Sequence, residues 1–371
     1  MPYYNYIKYK IRLKSHRRRA VRNLKKLREQ LDKEIPQKNP ENTFLLATWN
    51  IRDFDKKSRR GFGSRLPETL FYIAEIISRF DLVAVQEVNR LGELYDVMDI
   101  LGDDWDFIAS DETDSRIGGN GERLTFIYDK RKVWFQNIAG EIVLSNDMLI
   151  SSALEETDSR AIHKGKQFRR SPYVCLFQAN WFKFAICTVH IYYGAERGAK
   201  LEERRAEIER LVDYFSKRAD EELEKDRALI LLGDFNIVHP DHRTMKALES
   251  EDFEVPNALK EPTNISRTKF YDQIAFKAKP GVIEFVEGDG PDGLPNAGVF
   301  ELFKKIMTAA DFQSYESDSK ASPNGKEKTG DALKKYYRSW RTYQLSDHNP
   351  LWARIHVNAS GEYLDHLETE W

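Results

Sequence analysis

The 371-residue chain opens with two hydrophobic rhythms in succession. In IKYKIRLK (7–14) apolar and cationic residues alternate at the period of a strand, whereas Ala20, Leu24, Leu27 and Leu31 recur on one helix face that Ser15 is placed to cap. PQKNPENT (36–43) then breaks the pattern as a linker. Beyond it, short apolar runs predict strands at TFLLATWN, DLVAVQE, RLTFIYD, YVCLFQAN, FKFAICTVH, ALILLGDFN, FYDQIAF and PLWARIHV. Between them, Leu70, Ile73, Ile77 and Phe80 share one helix face, and Leu201, Ile208, Leu211 and Phe215 share another in a long charged helix near 197–225. Many short buried strands with a few amphipathic helices predict an α/β sandwich of two packed sheets covered by helices.

The same pattern divides the chain. Residues 1–43 read as an appended arm, 44–357 as the main domain, and 358–371 as an acidic tail. The stretch 277–341, rich in Gly, Pro, Lys and Ser, interrupts the rhythm and reads as an insertion. Charge sharpens the division: 58 basic residues nearly balance 60 acidic ones, yet residues 1–28 contain no acid at all. A basic arm on an acidic body suits an anionic partner such as nucleic acid; a helix packed on the main domain and self-association through the leucine stripe are the other readings. Cys175 and Cys187 sit inside apolar runs, as core residues or as one disulfide between neighbouring strands. No run approaches the roughly 18–20 apolar residues of a membrane span, so a soluble, cytoplasmic protein is expected.

Candidate chemistry lies at the strand ends. Asn50 follows FLLATW, Glu87 follows LVAVQ, His190 follows FAICTV, Asp234 and Asn236 follow LILLG, and Asp347 and His348 precede an apolar run. A polar residue at the end of a buried strand is projected into the loop layer where substrates bind, and five such placements are more than turns require. Glu87, Asp234 and Asp347 are hard oxygen ligands suited to Mg2+ or Mn2+, and no Cys/His grouping has zinc spacing. Hydrolysis of a phosphodiester needs charge neutralisation, a positioned water and a proton for the leaving oxygen, which carboxylates, amides and two histidines can supply. KKYYRSWRTYQ (334–344) interleaves cations with aromatics, a pattern for stacking on nucleic acid or for a half-buried strand with a charged outer face.

In that order, TWNIRDF, QEV, TVHIYYG, GDFN, YDQIAF and LSDHNP resemble the signature blocks of the endonuclease/exonuclease/phosphatase superfamily, and NIR with QEV resembles its deoxyribonuclease I branch. The resemblance implies a four-layer sandwich of two mixed β-sheets flanked by helices. It implies metal ligation by Asn50, Glu87 and Asp347, and places Asp234 and Asn236 on the attacking water and the phosphate. His348 oriented by Asp272 resembles the water-side histidine, and His190 oriented by Glu122 the histidine that donates to the leaving oxygen. Arg52 and Arg170 match arginines near the phosphate strand, with surface salt bridges as the alternative.

Departures from the pattern narrow the substrate. Abasic-site endonucleases resemble the chain at GDFN but carry an aspartate where Arg52 stands, and FYDQIAF lacks the tryptophan-containing blocks of those enzymes and of the inositol polyphosphate 5-phosphatases. The expectation is a Mg2+-dependent DNA endonuclease of low sequence specificity. A lipid head-group or small-nucleotide phosphoesterase is the enzymatic alternative, and a catalytically silent nucleic-acid-binding scaffold the other.

Overall fold

The computed structural model describes all residues except 1, 58, 114–120, 151–165, 225–226, 280–281, 284, 358–363, 365–367 and 369–371. Six strands form one sheet in the order β10-β11-β1-β2-β4-β3, and five form a second in the order β5-β6-β7-β8-β9. These are β1 (Thr43–Phe54), β2 (Leu82–Val88), β3 (Trp105–Ala109), β4 (Arg123–Asp129), β5 (Val133–Glu141), β6 (Tyr173–Ala179), β7 (Phe182–His190), β8 (Arg227–Asp234), β9 (Asp272–Lys277), β10 (Ala297–Val299) and β11 (Leu351–His356). Both sheets are mixed, with β1 and β2 parallel in the first and β7 and β8 parallel in the second.

The period-two alternation of β1 explains the layering. Phe44 and Leu46 face the second sheet, packing into one cluster with Phe177, Phe184, Leu231 and Ile274, while Leu45, Ala47, Trp49 and Ile51 face outward into a second cluster. That outward cluster is closed by α2 (Lys14–Glu34), α3 (Pro67–Ile77), α4 (Gly92–Leu101) and α8 (Gly330–Gln344). On the far side, α5 (Ala199–Glu224) and α6 (Arg243–Leu248) cover the second sheet through Ile208, Leu211, Val212, Met245 and Leu248. Helix, sheet, sheet, helix is the four-layer sandwich the sequence implied.

Three local expectations are corrected. Residues 7–14 form no strand: α1 (Ile7–Lys10) is helical, because Ile7 and Ile11 pack one helical turn apart into the outer cluster. Helix α2 begins at Lys14 after Leu13, so Ser15 lies inside it and does not cap it. Residues 334–344 form most of α8 rather than a strand, and the aromatics Tyr336, Tyr337, Trp340 and Tyr343 are buried at helical spacing, out of reach of a base. The stretch 277–341 also contains β10, α7 (Phe312–Ala321) and the first twelve residues of α8. Cys175 and Cys187 are buried free thiols.

The N-terminal leucine stripe is used within the chain. Ala20, Leu24, Leu27 and Leu31 are buried against α3 in the outer cluster. Burying three leucines stabilises this contact by several kcal/mol, at about 1.5–3 kcal/mol for each side chain.

Candidate active site

Strand direction gathers the polar residues at one end of the sandwich. Strands β1, β2, β7 and β8 run toward that end and carry Asn50, Glu87, His190 and Asp234 near or at their carboxyl ends. Strands β4, β9 and β11 run away from it, so Glu122, Asp272 and the pair Asp347–His348 stand at or before their first residues. Direct register seals the arrangement: His190 pairs with Asp234 across β7 and β8, and Asp234 with Asp272 across β8 and β9. The two sheets meet where Asn50 Nδ2 donates to Asp234 Oδ2 at 3.0 Å.

The LILLGDFN run owes its glycine to crowding. A Cβ at Gly233 would lie 2.2 Å from the Val189 carbonyl oxygen, and its φ of 133° is one that only glycine adopts without strain. Two residues on, Asn236 has φ 54°, a left-handed conformation that asparagine tolerates. Its N–H donates to Asp234 Oδ1 at 2.9 Å and its Nδ2 to the Ile191 carbonyl at 2.7 Å, locking the turn. Glu87 also stands at positive φ, 63°, held by the Asp53 N–H on its Oε2 at 2.7 Å.

Two histidine–carboxylate pairs converge on Asp234. His190 Nδ1 lies 2.8 Å from Glu122 Oε1 and its Nε2 lies 3.5 Å from Asp234 Oδ2. His348 Nδ1 lies 2.8 Å from Asp272 Oδ2 and its Nε2 lies 3.9 Å from the same Asp234 oxygen. In both pairs the carboxylate on Nδ1 fixes the ring and leaves Nε2 turned to Asp234. Burial disfavours each imidazolium, but the facing carboxylates outweigh it: the His190 pKa is raised and that of His348 is raised well above the usual range. Burial raises the Asp234 carboxyl, opposed by the two imidazoles. The ring of Tyr271 stacks on His348 at 5.4 Å.

Beside this cluster sit the oxygen donors. Asn50 Oδ1 is buried without a hydrogen-bond partner, and Asn50 Nδ2 lies 3.2 Å from Glu87 Oε1. An orphaned amide oxygen beside a half-buried carboxylate is the donor set a hard divalent cation takes. Asp234, Asp272 and His348 also bring ligand atoms within 4.8 Å of one another, though His348 Nδ1 and Asp272 are already hydrogen-bonded. Asp347 is joined to Arg52, whose Nη1 lies 3.0 Å from its Oδ2 and 2.7 Å from Thr342 Oγ1, while the guanidinium lies 3.8 Å over the Tyr343 ring. Arg170 Nε lies 2.5 Å from Glu122 Oε1 and its Nη1 donates to the His190 carbonyl at 3.1 Å. Both arginines border the site, each engaged with one of its carboxylates.

The sequence reading missed what braces these groups. Ser346 Oγ donates to the Asn50 carbonyl at 2.6 Å and accepts from the His348 N–H at 3.0 Å. On α5, Arg204 is fully buried and donates to the carbonyls of Tyr193 and Ala195, in the loop that follows His190. One turn later Glu207, 4% exposed, accepts the Arg169 N–H at 3.2 Å and the Tyr192 N–H. This single carboxyl ties together the segments bearing Arg170 and His190. Burial pushes its pKa up to about 7, against the pull of those N–H groups and of Arg170 and Arg169. The signal was present: positions 204 and 207 place charges on the apolar stripe of Leu201, Ile208 and Leu211.

Comparison with solved structures agrees with the architecture. An endonuclease/exonuclease/phosphatase family protein from Bacteroides thetaiotaomicron aligns over 86% of this chain and 99% of its own, with TM-score 0.52 and 18% identity. A mannosyl-6-phosphatase from the same organism aligns over 84% and 99%, with TM-score 0.50 and 16% identity. The chain therefore has the endonuclease/exonuclease/phosphatase fold, the one its motif blocks resemble. Among curated proteins, a deoxyribonuclease from Thioalkalivibrio sp. (strain K90mix) is 27% identical over 198 residues, which is 52% of this chain and 46% of that relative. The match thus spans less than half of the relative's length. No family model matches the chain. Among the described residues, no helix is long and apolar enough to cross a membrane.

Proposed function

We propose that the chain is a divalent-metal-dependent phosphodiesterase that cleaves DNA backbones with little sequence preference. The observation that carries this reading is the convergence of two oriented imidazoles on one carboxylate, with Asp234 Oδ2 3.5 Å from His190 Nε2 and 3.9 Å from His348 Nε2. Two proton-transfer groups that face one acid suit in-line displacement at phosphorus, one serving the attacking water and the other the leaving oxygen. The partial similarity to a deoxyribonuclease supports the choice of substrate.

In this mechanism Asn236 holds a phosphoryl oxygen, Asp234 holds the attacking water and takes its proton, and His348, oriented by Asp272, faces the same water. His190, oriented by Glu122 and raised toward the imidazolium, donates its Nε2 proton to the departing 3′ oxygen. Glu87 and Asn50, with Asp347 as a further ligand, would hold Mg2+ or Mn2+. When bound, the cation neutralises charge on the phosphoryl oxygens. Arg52 and Arg170 border this centre and offer guanidinium groups to adjacent phosphates.

End-group analysis of a duplex cleaved in 18O water tests the assignment. The expected products are 5′-phosphates containing solvent oxygen and 3′-hydroxyls, with formation strongly reduced in His190→Ala. Products ending in 3′-phosphate would reverse the polarity assigned to the two histidines. A folded protein that leaves DNA intact but hydrolyses a lipid or small-nucleotide phosphoester would replace the substrate.

A further inference from the structure

Helix α2 carries a charged feature that the reaction centre does not use. Its inner face is closed by Leu24, Leu27 and Leu31, while Lys14, Arg18, Arg22 and Lys25 are all exposed at steps of four, four and three residues. That spacing aligns them as one stripe on the outer face. No acidic side chain among the described residues pairs with any of the four. Cations turned inward on the same helix are treated differently: Arg19 meets Glu68 and Asp318, and Arg28 meets Glu75. A row of like charges at these spacings repels itself only mildly, but it concentrates positive potential on one face of a chain with more acids than bases, which attracts an anionic partner.

The stripe has a direction. Arg19 meets Glu68, Asn23 meets Tyr72 and Arg28 meets Glu75, so α2 and α3 run parallel. The first turn of α3 abuts the approach to the site, because the Leu66 N–H donates to Gln344 Oε1 at 2.7 Å, just before Asp347. The Lys14 end of the stripe therefore lies toward the catalytic end of the sandwich. The eleven helical steps from Lys14 to Lys25, at 1.5 Å each, span about 16 Å, roughly five phosphates of one DNA strand at 3.4 Å apart.

We propose that the outer face of α2 is a second contact surface for a nucleic-acid backbone, engaging a substrate that extends beyond the reaction centre. The proposal rests on the nucleic-acid reading of the site. It selects for substrate length and carries no base specificity, since lysines and arginines contact phosphates. An anionic membrane would also attract the charge. A helix lying in a membrane, however, inserts a broad apolar face, and the apolar face of α2 is covered by the protein's own core, leaving Val21, 43% exposed, among the arginines and Leu13, 58% exposed, just before Lys14.

The test compares the full chain with an Arg18→Gln/Arg22→Gln/Lys25→Gln variant, all three positions exposed and tolerant of glutamine in a helix. Binding to a labelled duplex longer than the stripe is measured by fluorescence anisotropy in EDTA, which separates binding from cleavage. Three lost phosphate contacts should lower the slope of log K against log salt by about 2.7, so the wild-type advantage shrinks roughly 40-fold between about 50 and 200 mM salt. Equal slopes overturn the proposal, and so does a loss confined to phosphatidylserine vesicles, which would assign the stripe to a membrane. Plasmid nicking with Mg2+ is scored separately. Nicking with equal slopes removes the stripe alone, whereas a lowered slope without nicking keeps the stripe and removes the nuclease reading.

Discussion

Glu207→Gln should make the protein's stability depend less on pH, because Glu207 is a buried carboxyl whose charge opposes folding. Its pKa is pushed from the ordinary 4.5 up to about 7, chiefly by burial. The folded state thus holds this proton more tightly than the unfolded chain. Stability from the group is fully present below about pH 4.5 and is lost as pH rises through about 7. At roughly 1.4 kcal/mol per pH unit, the loss is about 3 kcal/mol. Glutamine keeps the shape and one acceptor but never ionises. One backbone N–H can lose its acceptor, which costs about 1–3 kcal/mol, but that cost is the same at every pH. The decisive quantity is therefore the change of the difference with pH. Urea unfolding of both proteins from about pH 4.5 to 9 should show the variant gaining about 3 kcal/mol relative to wild type across that range. A difference flat with pH would refute the claim that Glu207 is desolvated in the folded state.

Further perturbations address the site. Asp272→Asn leaves the shape of the His348 partner but removes its charge, and should lower kcat by about 10²–10⁴-fold with a smaller change in KM, measured on a short duplex. Gly233→Ala places a methyl 2.2 Å from the Val189 carbonyl at a φ that alanine avoids, and should destabilise by about 3 kcal/mol or more in urea unfolding. Asn50→Ala removes the orphaned amide oxygen; calorimetric titration with Mg2+ should show weaker binding, and unchanged affinity would take Asn50 out of the ligand set.

The strands that carry the site were readable because each is buried on both faces or ends in a polar residue. LILLG is continuous and apolar since β8 lies between the other sheet and α5, and the alternation of Phe44 and Leu46 with Leu45 and Ala47 is the imprint of two cores on one strand. What misled was short-range ambiguity. In IKYKIRLK the apolar residues satisfy a two-residue period, yet Ile7 and Ile11 also satisfy a helical one, and the outer core decides. In α8 the interleaved cations obscured the spacing of Tyr336, Tyr337, Trp340 and Tyr343, which is that of a buried helix face. The histidines and acids could be named from their strand ends and from the motif blocks they resemble. Arg204 and Glu207 stood out only as charges on an apolar stripe, and what each one holds is visible only once the loop after His190 is in place.

The most direct test of the central claim is nicking of supercoiled plasmid by the intact chain with Mg2+, with EDTA, and by the Asp234→Ala variant. Nicking should require the metal and fall by orders of magnitude when the carboxylate between His190 and His348 is removed. Nicking that survives either EDTA or the substitution, in a folded sample, would contradict that claim.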